Sequence, residues 1–293
     1  MPQLAYSLLT LALLLSFGQS TPLHSNHARQ TAQWETLPAT PDLPIPISTA
    51  TYSKDGANLW FQKYNTAASG TPIVMIHGGL GYSAYFGSVI SILSQTHQVI
   101  AVDRRGHGRS TYNKNDLFTF DMFAQDTYSL LQSEGVTSAV FVGWSDGAAT
   151  VLASLLNSTI DSMITKAFVF AGFQSVSDSN TTFTDTAIYS TFVSRCATEY
   201  AELQPSANFT DFATKVATLE GTLPEWSDAD LAKINGSKVM IAGADHDEAV
   251  NLDVPAHLNA VITGSQLVML KDVSHFAPVQ DPVGFAAAVE AFL

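Results

Sequence analysis

The run Gly143-Trp144-Ser145-Asp146-Gly147 joins an apolar, strand-like segment over Ala139–Val142 to a helical pattern that opens at Gly147. A serine in such a sharp strand-to-helix turn adopts a strained backbone, and the flanking glycines remove Cβ clashes between strand and helix. A chance match in a chain rich in Gly and Ser is the alternative, and the strand–turn–helix setting disfavours it. The run therefore predicts a nucleophilic hydroxyl on Ser145, raised above the end of a sheet.

Strand-like apolar runs alternate with helical patterns from Ser48 onward. Thr49–Ser53 and Asn58–Tyr64 flank Asp55-Gly56, which is a hairpin turn signal. The further predicted strands are Pro72–Ile76, Gln98–Val102, Ala139–Val142, Ala167–Phe170, Lys238–Ala242 and Gln266–Leu270. The helical patterns lie around Ala84–Leu93, Asp121–Ser133, Gly147–Leu156, Pro255–Ala260 and Pro282–Phe292. Continuous apolar strands separated by helices predict an α/β fold, with a mostly parallel mixed sheet and helices on both faces.

The segment between the predicted strands that end near Ala171 and begin at Lys238 is far longer than a strand–helix connection needs. It is rich in aromatic residues and mostly helical in pattern. We therefore predict a small helical cap, inserted at about residues 173–237, over the ends of the strands. Its aromatic side chains form the core of the cap, line a substrate pocket, or do both.

A second glycine-rich loop, His77-Gly78-Gly79-Leu80-Gly81, also follows a predicted strand. Such a loop can direct a backbone N–H at the oxyanion of a reacting carbonyl, with the N–H after the nucleophile as the second donor. We predict Gly79 and Asp146 as these donors, with Leu80 as an alternative to Gly79. His77 is interpreted as a brace for the loop rather than as a catalytic group.

A serine nucleophile needs a base, and the base needs an acid that orients it. The predicted base is His275, which follows the last predicted strand. The predicted acid is Asp247, in the loop after the preceding strand, with Asp245 as the alternative; this gives the chain order Ser, Asp, His. Asp245, His246 and Asp247 also suggest a metal site, but the sequence shows no distant partner for it, which disfavours this interpretation. No metal and no cofactor is predicted.

Acidic residues outnumber basic residues by 26 to 13, which gives a formal net charge of −13 at pH 7. A surface of this charge repels phosphate backbones and anionic lipids, so neither nucleic acid nor a membrane is an expected partner. The hydrophobic share of 46% is that of a globular protein and excludes a disordered chain. Cys196 is the single cysteine, so an intrachain disulfide is excluded. The sequence leaves the oligomeric state open.

Residues 1–20 are predicted to be a secretory signal peptide. Leu4–Phe17 is nearly all apolar, too short to span a bilayer comfortably, and followed by small residues. An N-terminal helix packed on the domain or anchored in a membrane is the alternative. Residues 21–47 hold five prolines and little periodicity, which predicts an extended arm outside the main core. The folded domain is then expected over residues 48–293.

Glycosylation acceptor triplets, Asn-x-Ser/Thr, begin at Asn157, Asn180, Asn208 and Asn235. A single triplet is a weak signal because such triplets arise by chance. Four of them behind an apparent signal peptide predict a secreted, extracellular glycoprotein. Glycans would also help to solubilise a surface that is poor in charge.

Taken together, the motifs occur in the order of a known family. They are HGG at His77–Gly79, DRRGHGRS at Asp103–Ser110, GWSDG at Gly143–Gly147, ADHDE at Ala244–Glu248 and SHF at Ser274–Phe276. With them the chain resembles the α/β-hydrolase superfamily over about residues 48–293. It is similar to small-cap serine esterases and lactonases of the enol-lactonase and valacyclovir-hydrolase type, whose turn also reads GWSDG. In that type the acid falls three positions after a glycine, and this register favours Asp247, with Ala244 in place of the glycine.

The expected function is that of a secreted serine hydrolase that cleaves a small carboxylic ester or lactone through an acyl-enzyme. A cofactor-independent lyase on the same fold and a non-catalytic ligand-binding protein are the alternatives. Asp146, beside the nucleophile, has two interpretations. It caps the helix that opens at Gly147, which capping preferences favour, or it attracts a cationic amine near the ester, which the resemblance suggests.

Overall fold

A sheet of eight strands runs through the part of the chain that this computed structural model describes, residues 31–204 and 206–293. The strands are β1 (Ser48–Lys54), β2 (Ala57–Tyr64), β3 (Ile73–Ile76), β4 (Val99–Val102), β5 (Ala139–Trp144), β6 (Ile164–Phe170), β7 (Val239–Ala244) and β8 (Gln266–Leu270). Their order across the sheet is β1-β2-β4-β3-β5-β6-β7-β8. β1 and β2 form an antiparallel hairpin, β2 pairs antiparallel with β4, and all other pairs are parallel.

Ten α-helices accompany the strands in these residues. They are α1 (Gly87–Leu93), α2 (Phe120–Ser133), α3 (Asp146–Leu156), α4 (Ser158–Asp161), α5 (Ala187–Leu203), α6 (Phe209–Glu220), α7 (Asp228–Leu231), α8 (Val254–Val261), α9 (Ala277–Gln280) and α10 (Pro282–Phe292). α1 packs on α10 and α2 packs on α3, and these helix pairs cover the sheet. The predicted α/β architecture is confirmed. None of the helices in the described residues has the length and apolarity to cross a membrane.

Burial explains why the central strands were recognisable in the sequence. Every residue of β3, β4, β5 and β7 is buried, because helices cover both sides of the sheet. β1, at one edge, alternates exposed and half-buried residues, so only one of its faces meets the core. The predicted turn at Asp55-Gly56 closes the hairpin, with φ of 49° and 78° at its two residues.

The connection from β6 to β7 contains α5, α6 and α7, the helices expected of a cap. Some of its aromatic residues pack on one another and others reach the loop after β8, while a substrate pocket lined by them stays a prediction. Tyr200 and Phe212 stack with their ring centroids 4.6 Å apart, inside the cap. Phe192 lies 5.0 Å from Phe276, and Phe183 lies 6.0 Å from His275, both centroid to centroid. The cap therefore has a core of its own and also contacts the loop that carries the predicted base.

Residues 32–47, here called the strap, pack along the domain. Arg195 of α5 donates to the carbonyl of Leu37 at 3.0 Å, and Gln280 of α9 donates to the carbonyl of Thr36 at 2.8 Å. None of residues 32–47 is buried, yet the strap belongs to the compact unit that begins at residue 32. Extended backbone leaves its carbonyls free to accept side-chain hydrogen bonds. The predicted signal peptide and residues 21–30 lie outside the described residues.

Gly147 lies where α3 passes close to the end of β3. A Cβ atom at this position would lie 1.9 Å from the carbonyl oxygen of Ile76 and 2.6 Å from that of His77. We expect Gly147→Ala to lower the free energy of unfolding by about 3 kcal/mol, because both clashing atoms belong to backbone that cannot move aside. Urea denaturation measures the change.

Gly81→Ala is the matched control, since its Cβ would meet only the Tyr85 ring, at 3.2 Å. Gly81→Ala should lower the free energy of unfolding by only about 1 kcal/mol, which is within the usual range for a point substitution. Equal losses in the two variants would contradict the assignment of this close approach to Gly147.

Candidate active site

Ser145 occupies the turn between β5 and α3 with φ 57° and ψ −122°. Positive φ is unfavourable for a residue with a side chain, so the surroundings must hold it there. The Ser145 N–H donates to the carbonyl of Phe170 at 3.0 Å, which ties the turn to β6. At Gly143 a Cβ atom would lie 2.4 Å from the carbonyl oxygen of Gly147, so the glycine permits the tight turn. The structure thus gives Ser145 the strained backbone predicted for a nucleophile elbow.

Asp247 and His275 meet in the loops that follow β7 and β8. Nδ1 of His275 lies 3.1 Å from Oδ1 and 3.2 Å from Oδ2 of Asp247, and both side chains are buried. The same Oδ1 accepts the N–H groups of Ala249 at 2.9 Å and Val250 at 2.8 Å, which fix the carboxylate. A carboxylate at Nδ1 makes that nitrogen the donor and leaves Nε2 as the basic nitrogen. The imidazole ring lies 5.9 Å from the ring of Trp144, the neighbour of Ser145 in the chain.

Asp245, the alternative acid, has different neighbours. Its Oδ2 lies 3.7 Å from Nζ of Lys271, and its N–H donates to the carbonyl of Leu270. His246 stacks on Trp34 of the strap, with 3.9 Å between ring centroids. The geometry therefore joins Asp247, rather than Asp245, to His275. Within the described part of the chain, no three His, Cys, Asp or Glu side chains are grouped closely enough to hold a metal ion.

Glu248 is a contributor that the sequence analysis missed. Its Oε2 accepts the backbone N–H of His275 at 3.1 Å, and its Oε1 accepts the Ser274 hydroxyl at 3.1 Å. The carboxylate therefore holds the backbone of the predicted base, one residue after the predicted acid. Its place directly after Asp247 in the motif ADHDE was the available signal.

The loop His77–Gly81 passes beside the nucleophile. A Cβ atom on Gly78 would lie 3.2 Å from Cβ of Ser145. Over residues 31–204 and 206–293, the backbone N–H groups of Gly79, Leu80 and Asp146 meet no hydrogen-bond acceptor. Unsatisfied N–H groups beside a nucleophile suit an oxyanion hole. Gly79 and Asp146 remain our predicted donors, and the geometry leaves Leu80 as the alternative.

Arg104 joins the two sides of this predicted oxyanion hole. Its side chain is fully buried, its Nη2 donates to the carbonyl of Gly78 at 2.8 Å, and the same nitrogen lies 3.4 Å from Oδ2 of Asp146. The Arg104 backbone N–H donates to Nε2 of His77 at 3.0 Å, and Nδ1 of His77 donates to the Gly78 carbonyl at 2.8 Å. His77 thus braces the loop, as predicted, and burial followed by the charge of Arg104 lowers its pKa, so the imidazole stays neutral.

This arrangement corrects the favoured interpretation of Asp146 as a helix cap. No N–H of α3 donates to its carboxylate in the described structure; the group pairs with Arg104 instead. A buried guanidinium needs a counter-charge, and Asp146 is the acid that faces it. Arg104 was missed as a site residue because the run Asp103–Ser110 was interpreted as architecture. That interpretation holds for Asp103, which accepts the N–H groups of Ser83 and Arg109, each at 2.9 Å.

The four predicted glycosylation sites lie at local turns. Each asparagine accepts a backbone N–H from a following residue through Oδ1, and these residues are Asn157, Asn180, Asn208 and Asn235. Nδ2, the atom that carries a glycan, takes no part in these bonds. Asn180 is half-buried and the other three are exposed. Glycosylation stays a prediction.

Comparison with known proteins gives concordant results. A family model described as "Alpha/beta hydrolase family" matches residues 73–288. The non-heme chloroperoxidase of Streptomyces lividans is 27% identical over 235 residues, which cover 76% of this chain and 84% of that protein. The esterase YbfF of Escherichia coli is 29% identical over 109 residues, which cover 36% of this chain and only 42% of that esterase.

Solved structures agree in fold. The enol-lactonase of Burkholderia xenovorans LB400 superposes with a TM-score of 0.65 at 18% identity, covering 83% of this chain and 98% of that one. A meta-cleavage product hydrolase of Pseudomonas fluorescens IP01 gives a TM-score of 0.68 at 17% identity, covering 81% and 94%. At these identities the likeness concerns the fold. With the family model matched from β3 to within α10, the chain belongs to the alpha/beta hydrolase family.

Proposed function

We propose that the protein is a serine hydrolase that cleaves a small carboxylic ester or lactone through an acyl-enzyme. The observation that carries the proposal is the pair of Asp247 and His275 at 3.1 Å, next to the strained turn that presents Ser145. An esterase among the sequence relatives and an enol-lactonase among the structural ones agree with this reaction class. The predicted small-molecule substrate follows from the same likeness.

The reaction would begin as Nε2 of His275 takes the proton of the Ser145 hydroxyl while Oγ attacks the ester carbonyl carbon. The N–H groups of Gly79 and Asp146 hold the tetrahedral oxyanion, and each such donor contributes about 3–4 kcal/mol. Asp247 stabilises the imidazolium. The alcohol leaves with the proton from His275, and a water molecule deprotonated by the same imidazole then releases the acid and restores Ser145.

A fluorophosphonate that reacts with activated serines tests the proposal. We expect a single label, which peptide mass spectrometry should locate on Ser145. The fraction of labelled protein should rise in step with the loss of esterase activity. An unlabelled protein that still binds esters would support the ligand-binding alternative. Products without a free carboxylic acid would support the lyase.

The proposed base also predicts the pH dependence. Burial lowers the pKa of His275, but the charge and hydrogen bond of Asp247, with the charges of Glu248 and Asp146, outweigh it and raise the pKa above its usual value. Because the base acts as neutral imidazole, kcat/KM should rise with pH through a midpoint above about 6.5. A pH series of p-nitrophenyl acetate hydrolysis measures it. In Glu248→Gln the midpoint should move to lower pH, because one of the charges that raise the pKa is removed. A wild-type midpoint below about 6.5 would contradict the assignment of His275 as the base.

We further propose that the protein is secreted and glycosylated. The apolar segment over residues 4–17 and the four acceptor triplets support this. Expression in a eukaryotic host should deliver the protein to the medium, with a mass that falls on treatment with peptide N-glycosidase. Retention of an unmodified protein in the cells would contradict the proposal.

A further inference from the structure

Gln280, the last residue of α9, is buried and uses both ends of its side-chain amide in hydrogen bonds. Its NH₂ group donates to the carbonyl of Thr36 in the strap at 2.8 Å and to Oγ of Ser274 at 2.9 Å. Its Oε1 accepts the backbone N–H of Ser274 at 2.7 Å. The amide therefore joins the strap to the residue that directly precedes the proposed base, His275, and it holds that residue through both backbone and side chain.

The hydrogen bonds continue from Ser274 to His275. The Ser274 hydroxyl accepts from Gln280 and donates to Oε1 of Glu248 at 3.1 Å. Oε2 of the same carboxylate accepts the backbone N–H of His275 at 3.1 Å. Ser274 and His275 are buried, so a polar group that loses its partner here cannot turn to bulk water instead. Loss of the Gln280 amide would leave the Ser274 N–H without its acceptor and free the hydroxyl that orients Glu248.

The strap contacts both of the loops that carry the proposed acid and base. In the loop after β7, the ring of His246 stacks on Trp34, with 3.9 Å between centroids and 3° between ring planes, and His246 directly precedes Asp247. After β8, the side chain of Gln33 donates to the backbone carbonyl of Gln280 at 2.6 Å. One short piece of the strap thus holds two loops that are far apart in the sequence.

We propose that Gln280 is a positioning residue for His275, and that residues 33–36 of the strap hold Gln280 in place for this role. The inference rests on the proposed hydrolysis, in which the imidazole must reach Oγ of Ser145 while it stays bonded to Asp247. The place of the ring follows from the backbone on either side of it, which Gln280 fixes one residue earlier. A misplacement of about 1 Å can cost about 100-fold in rate, even when the altered residue lies away from the reacting atoms.

Gln280→Met tests the proposal, because methionine has nearly the size of glutamine and lacks its amide. We expect kcat for p-nitrophenyl butyrate hydrolysis to fall by about 10- to 100-fold, with KM changed by less than about twofold. Arg195→Met is the matched control, since it frees the strap from α5, where Arg195 donates to the carbonyls of Leu37 and Pro38. It should keep kcat within about twofold of the wild type. A less stable Gln280→Met with unchanged kcat, or a change in KM alone, would overturn the proposal.

Trp34 allows a second pair of variants that leaves the buried residues untouched, because its own side chain is only half-buried. Trp34→Ala removes the stack on His246 and should lower kcat by about 3- to 10-fold. Trp34→Phe keeps an aromatic ring and should stay within about twofold of the wild type. Equal kcat values in these two variants would overturn the role given to the strap.

Proton NMR separates this inference from the proposed reaction. The Nδ1 proton of His275, bonded to Asp247, should give a downfield resonance that is absent from His275→Ala. In Gln280→Met this resonance should be lost through exchange with water, whereas Arg195→Met should keep it. Such a loss supports the positioning role even if the wild type hydrolyses no ester. A resonance that is unchanged in Gln280→Met would overturn it.

Discussion

Ser145→Ala should lower kcat for p-nitrophenyl butyrate hydrolysis by about 10⁵- to 10⁶-fold, with KM changed little. The substitution removes Oγ, the atom that would bond to the acyl group in the proposed mechanism. Alanine also occupies the same backbone with no added bulk, so the fold should persist. Steady-state kinetics, with a thermal denaturation curve for each variant, measure both effects.

Ser91→Ala is the matched control, because Ser91 is exposed on α1 and remote from the turn in the chain. It should keep wild-type kinetics. If Ser145→Ala retained more than about a tenth of the activity, the hydrolysis would not use this serine, and the nucleophile would have to be sought elsewhere.

Asp247→Asn should lower kcat by about 10³- to 10⁴-fold, the loss expected when the acid of such a triad becomes an amide. Asparagine can donate its NH₂ to Nδ1 of His275. The ring proton would then sit on Nε2, the nitrogen that must accept the serine proton. Oδ1 of the amide would still accept the N–H groups of Ala249 and Val250, so the loop should keep its shape.

Asp245→Asn separates the two acids of the same loop. Asp245 lies 3.7 Å from Nζ of Lys271 and forms no hydrogen bond or ion pair with His275 in the described structure. We expect less than about a threefold change in kcat, since a surface ion pair of this kind contributes little. A larger loss in Asp245→Asn than in Asp247→Asn would reverse the assignment.

Much of the fold could be predicted because the central strands bury both faces. A strand such as Ile73–Ile76 must then be apolar throughout, and the sequence shows it directly. β6 was predicted only from Ala167, whereas it begins at Ile164. Thr165 and Lys166 interrupt the apolar run, and Nζ of Lys166 reaches the carbonyl of Leu293 at 2.7 Å. Polar residues near the end of a strand hide it from a search for apolar runs.

The loops that carry Ser145, Asp247 and His275 were also accessible from the sequence, since each follows a recognisable strand. Arg104 was not, because its role depends on a partner far away in the chain. The pair of Arg104 and Asp146 forms across two loops. Contacts made by tertiary structure alone leave no periodic signal.

The strap ties two separate parts of the domain together. One short extended segment holds α5 of the cap through Arg195 and α9, in the chain just after His275, through Gln280. Swinging the cap away from the strands would break these bonds and expose the carbonyls that they satisfy. The strap therefore links the insertion between β6 and β7 to the region after β8 through hydrogen bonds that its own backbone carbonyls accept.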